Sequence, residues 1–136
     1  MIKVIVGRKG SGKTARLVDD LNAHATSDNA NVVCIERGRR LDRLVKYQIR
    51  LLDISDYPIV GFRELLAFIA GISAKDYDLT HIYIDSIFKI ANDTSMINLE
   101  KFLEELETFS DNNNFSVMII LSAEPEALPE SIRRYV

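Results

Sequence analysis

The segment Gly7-Arg8-Lys9-Gly10-Ser11-Gly12-Lys13-Thr14 constrains this chain more than any other. It is a full match to GxxxxGK[ST], and its neighbours matter as much as its letters. Met1-Ile2-Lys3-Val4-Ile5-Val6 before it reads as a buried strand. The residues from Lys13 to Ala25 read as an amphipathic helix with Leu17, Val18, Leu21 and Ala25 on one face. A strand that leads into a helix N-terminus collects unpaired N–H groups and the positive end of the helix dipole at one place, where an anion is stabilised. Glycines at 7, 10 and 12 let the backbone wrap close to that anion, in conformations a side chain would forbid. The pattern predicts a phosphate cradle formed by Gly7, Gly10, Ser11, Gly12, Lys13, Thr14 and Ala15. In it, Lys13 reaches the β- and γ-phosphates and the Thr14 hydroxyl holds Mg²⁺. The bland alternative is an ordinary glycine-rich turn. The expected ligand is a nucleoside triphosphate.

The rest of the chain alternates between the two periods. Val32-Val33-Cys34-Ile35 reads as a second strand, and Leu41, Leu44, Val45, Ile49 and Leu52 suggest a helix from about Arg40 to Leu52. Pro58-Ile59-Val60-Gly61 is a candidate short third strand, followed by an apolar helix through Leu65, Leu66, Phe68 and Ile69. His81 to Asp85 is a strand, Leu99, Phe102, Leu103, Leu106 and Phe109 form a helical stripe, and Phe115 to Leu121 is the last strand. Short strands separated by longer helices predict an α/β fold. The expectation is a three-layer α/β/α sandwich with a mostly parallel five-stranded sheet, in a single domain over residues 1–136. The chain has no apolar run near the ~20 residues of a membrane span and no signal-like opening, which points to the cytoplasm. Cys34 is the single cysteine and reads as a small buried hydrophobe. His24 and His81 lack ligand-spaced neighbours and carry no metal argument.

Ile82-Tyr83-Ile84-Asp85 is a hydrophobic run ending in an acid. At the carboxyl end of a strand in an open α/β sheet, that acid lies where ligands bind, so Asp85 is the second candidate ligand for Mg²⁺ beside Thr14. Taken with Gly7–Thr14 and the later strand Ile119-Ile120-Leu121-Ser122, the chain resembles the P-loop NTPases, in particular their RecA-like branch. The resemblance covers nearly the whole length. It implies that the last strand lies between the P-loop strand and the Asp85 strand, and that Ser122 senses the γ-phosphate. ATP is the expected ligand, because the sequence has no Asn-Lys-x-Asp segment for guanine and no Asp-x-x-Gly after a strand, and Ser73-Ala74-Lys75 lies out of order for a GTPase.

The sequence departs from that branch where many members carry a Glu after the metal-binding Asp. Here the residue is Ser86. Glu36, at the end of the second strand, is the main candidate to position the attacking water, with Glu124 a weaker one. Lys13, Glu36 and Ser122 are thus the candidate catalytic residues. A small ATPase working as a homo-oligomer or with a protein partner is the leading expectation. A switch that binds ATP and hardly hydrolyses it is the second. A kinase resembling the thymidine kinases is the third, although that family's Glu and cysteine-bound zinc are absent.

The net charge of −3 argues against general nucleic-acid affinity. Yet Arg39, Arg43, Lys46 and Arg50 would form one basic stripe on the expected second helix. That stripe is either a solvated face, a nucleic-acid backbone contact, or a patch for the acidic Glu100–Glu107 helix of another subunit. Arg133 and Arg134, in an expected basic helix after the last strand, are candidate arginine fingers.

Overall fold

A computed structural model describes all of residues 1–136. Five strands, β1 (Ile2–Gly7), β2 (Val32–Glu36), β3 (Arg50–Asp53), β4 (His81–Ile84) and β5 (Ser116–Ser122), form one sheet in the order β1-β5-β4-β2-β3. Every pairing is parallel, so the sheet is wholly rather than mostly parallel. The helices are α1 (Lys13–Ala25), α2 (Gly61–Lys75), α3 (Ile87–Ala91), α4 (Met96–Asn112) and α5 (Glu130–Arg133). None is long and apolar enough to cross a membrane.

Alternation along the strands divides the core between the two faces of the sheet. Ile5, Cys34, Tyr83 and Ile120 pack with Leu17, Leu21 and Ala25 of α1. Val4, Val33, Ile35, Ile82, Ile84, Ile119 and Leu121 face the other way, onto α2, α3, α4 and Ile132 of α5. All five residues of β2 are buried because the strand is flanked by β4 and β3 and covered on both faces. The expected layering is present. β5 lies between β1 and β4.

The expected helix from Arg40 to Leu52 does not form. Arg50–Asp53 instead extends the sheet as β3, with Val33 opposite Arg50 and Glu36 opposite Asp53. The residues before it form an irregular crossover whose Leu41 and Ile49 complete the α1-side core. Asn22 of α1 explains why: its Nδ2 donates to the Leu44 carbonyl and its Oδ1 accepts the Lys46 N–H, both at 2.9 Å. Those are groups a helix would pair within itself. Leu44, which helical spacing placed inside, is 55% exposed.

Without that helix, Arg39, Arg43, Lys46 and Arg50 share no stripe. Arg39 pairs with Asp56 at 3.6 Å and Arg50 with Asp76 at 2.7 Å. Pro58–Gly61 is not a strand either. It leads into α2, where the Glu64 carboxylate accepts the Val60 N–H at 2.9 Å. The expected final helix shrinks to the single turn of α5. Arg133 donates to the Leu128 carbonyl at 2.9 Å, and Arg134 stacks over Tyr135 and reaches Glu107, so both are engaged within the chain.

Candidate functional site

Because all the strands run the same way, their carboxyl ends open on one edge of the sheet. Gly7, Glu36, Ile84 with the following Asp85, and Ser122 all lie there. In an α/β sheet this is the edge that offers a crevice. The only charged residues buried in the whole chain are Lys13, Glu36 and Asp85. Burying a charge is costly, and three of them at one edge is not how a fold is stabilised.

The loop between β1 and α1 has the shape its glycines suggested. Gly10 and Gly12 take left-handed conformations (φ 82 and 86) that a side chain would strain, whereas a Cβ on Gly7 would meet only the movable Ser11 hydroxyl at 2.5 Å. Gly12 caps α1 in a left-handed conformation (φ 86) and supplies no side-chain acceptor. The first-turn N–H groups of α1 therefore have no capping side chain. Gly10, Gly12, Lys13, Thr14 and Ala15 line a concavity of about 340 Å³ at this point. Lys13 folds back over the loop, and its ammonium donates to the Arg8 carbonyl at 2.8 Å. Arg8 is in turn bridged to Glu124 at 2.7 Å, which ties the loop to the chain after β5. Ser122 stands opposite Gly7 in register and is exposed.

Asp85 leaves β4 with its N–H bonded to the Ile35 carbonyl at 3.1 Å, which anchors it to β2. Its Oδ1 accepts from Thr14 Oγ1 and from Ser86 Oγ, each at 3.4 Å. Its Oδ2 is buried with no hydrogen-bond partner, the only such side-chain atom in the protein. An orphaned buried carboxylate oxygen beside a hydroxyl is a fitting pair of hard ligands for Mg²⁺. No group of three or more His, Cys, Asp or Glu converges anywhere, so these side chains by themselves would not fill a cation's shell.

Glu36 lies next to Asp85 across the β2–β4 pairing, and both its oxygens accept the Leu41 N–H, at 3.3 and 3.4 Å. Burial is the main cause that raises its carboxyl pKa, partly offset by the backbone donors of Leu41 and Arg40. One residue of this edge was missed by the sequence reading. Arg40 places Nη2 3.6 Å from Asp85 Oδ2. The sequence marked it only as the start of an expected helix, and the irregular crossover is what brings it to Asp85.

At the opposite end of β4, His24 and His81 meet with ring centroids 4.1 Å apart, although 57 positions of sequence separate them on α1 and β4. Tyr83 donates to Asp20 at 2.6 Å beside them. Burial first, and His24 second, lower the His81 pKa, with Asp20 opposing. The folded protein thus binds this proton less readily than the unfolded chain. His81 supports stability above its ordinary pKa of 6.5, and that support is lost as pH falls below it. Melting temperature is expected to drop more between pH 7 and pH 5 (about the window of histidine titration) in the wild type than in His81→Asn.

The chain matches no protein-family model and no curated protein.

Proposed function

We propose that this protein binds a nucleoside triphosphate, ATP by preference, with Mg²⁺, on a RecA-like P-loop fold, and hydrolyses it. The observation that carries this reading is the grouping of Lys13 and Asp85, buried and charged, beside a glycine loop that leaves the start of α1 without a capping side chain. The position of β5 between β1 and β4 supports the RecA-like assignment. Lys13 would exchange the Arg8 carbonyl for phosphate oxygens, a stronger partner for an ammonium. Thr14 and Asp85 would hold the cation, which when bound neutralises charge on the transferring phosphate. The rest of the loop orients the phosphates through its N–H groups, and Ser122, exposed beside Gly7, is available to the terminal phosphate. Lys13, Glu36 and Ser122 remain the residues to test for turnover. A partner or a second copy of the chain would be needed for mechanical work.

One observation favours a second reading, an ATP-dependent switch with little hydrolysis. The Glu36 carboxylate, which should orient water, is occupied by the backbone of the following turn, and Ser86 follows Asp85. Glu36→Gln separates the two, because glutamine still accepts the Leu41 N–H and removes only the buried charge. The ATPase reading expects ADP release from Mg²⁺·ATP to fall about 100-fold or more with nucleotide affinity within about threefold of wild type. Slow turnover that the substitution leaves unchanged favours the switch. ADP release that depends on an added phosphate acceptor would instead identify a kinase.

A further inference from the structure

Arg40 is a charged group at the site that neither the phosphate cradle, its cation nor the water-positioning role given to Glu36 explains. It stands on a turn held at three points. Both Glu36 oxygens grip the Leu41 N–H. Asp53 Oδ1 accepts the Gly38 N–H at 2.8 Å. Arg37 donates to the Lys89 and Ile90 carbonyls at 2.9 and 3.5 Å, tying the turn to the end of α3. The backbone is thus fixed to β2, β3 and α3, but the Arg40 side chain is 65% exposed and makes one ionic contact. That contact is with Asp85 Oδ2, the orphaned oxygen, at 3.6 Å. At this separation it is charge facing charge without a hydrogen bond.

A cation held by Thr14 and Asp85 would share one buried carboxylate with this guanidinium, and the two like charges would oppose each other. The anchored turn keeps Arg40 within reach of the site while its exposed side chain is free to turn. A γ-phosphate bound beside the cation would be a new anion at this edge, and the planar guanidinium fork suits phosphate oxygens. We propose that Arg40 distinguishes a bound triphosphate from a diphosphate, resting on Asp85 in the empty protein and moving to the γ-phosphate when the Mg²⁺-triphosphate binds. The inference rests on the nucleotide-binding reading above. With a diphosphate the γ-phosphate that would receive the guanidinium is missing, and Arg40 continues to oppose the cation at Asp85. Glu36 then has a second use, as the residue that positions the turn carrying Arg40.

The test is a titration of wild type and Arg40→Gln with Mg²⁺ and either ADP or a non-hydrolysable ATP analogue. The expected result is that the wild type's preference for the triphosphate falls about tenfold in the variant, the scale of one charge-assisted hydrogen bond, with ADP affinity unchanged or raised. An equal loss for both nucleotides would reduce Arg40 to a source of general positive charge and overturn the proposal, as would an unchanged ratio. Melting curves check that Arg40→Gln folds. Should it not, Arg40→Met, which removes the charge and keeps an unbranched side chain, is measured in its place, where a reduced ratio supports the proposal and an unchanged one overturns it. Wild-type protein that binds neither nucleotide would end the nucleotide reading, and this one with it. Wild type that binds both, with a variant that keeps the ratio, would end this one alone.

Discussion

Lys13→Ala is expected to weaken binding of Mg²⁺·ATP by about 10- to 100-fold, the loss of one or two charge-assisted hydrogen bonds. The same substitution should leave the melting temperature of the ligand-free protein unchanged or higher. Lys13 is 7% exposed, and its one hydrogen bond is to a carbonyl of its own loop. A buried ammonium with so little compensation is a cost carried in the empty state. Alanine removes the cost together with the phosphate contact. Affinity falls and stability does not, a pairing that a residue serving only to hold the loop would not produce. Titration calorimetry and thermal melts of the two proteins read both halves. An affinity within about threefold of wild type would remove the phosphate-cradle reading.

Asp85→Asn is expected to abolish the contribution of Mg²⁺ to ATP affinity. Wild type should bind ATP more tightly with Mg²⁺ than with chelator, by about tenfold or more, and the ratio in the variant should approach one. The amide keeps an acceptor for Thr14 and removes the charge that faces the cation site. In the ligand-free protein the carboxylate has one buried oxygen without a hydrogen bond, a deficit of about 1–3 kcal/mol for an ordinary polar atom. The exposed Arg40 guanidinium offsets little of it, since ion pairs with one solvent-facing partner contribute weakly. The variant should therefore melt no lower than wild type. A destabilised variant with an undiminished Mg²⁺ effect would make Asp85 a structural residue of β4 and leave the cation without a ligand on this strand.

The fold departs furthest from local sequence periodicity over residues 37–53. Leu41, Leu44, Val45, Ile49 and Leu52 fit a helical face as well as any segment of the chain does. The folded protein uses them differently: Leu41 and Ile49 cover the sheet beside α1, Leu44 is exposed, and Leu52 lies on a strand packed against the opposite core. Local periodicity cannot register that β2 has an open edge needing a partner, or that Asn22 would take the Leu44 and Lys46 backbone groups. Arg40 was illegible for the same reason. So was the His24–His81 pair, which a sequence spacing argument discards and the α1–β4 packing creates.

What the sequence determined by itself is local and dense in information. Glycines at 7, 10 and 12 allow one kind of turn, Lys13 and Thr14 open the helix after it, and an apolar run ends at Asp85. Those features rest on backbone sterics and on the direction of a strand into a helix, which need only neighbouring residues. They placed the loop, the candidate cation ligands and the parallel α/β frame. Tertiary structure alone decided the rest. It made β3 from a segment with a helical pattern, closed both Glu36 oxygens onto a turn, and set Arg40 against the one unpartnered buried oxygen of the chain. Each of those depends on which distant backbone and side-chain groups remain unpaired once the sheet has formed, and that is a property of the assembled fold rather than of any stretch of residues.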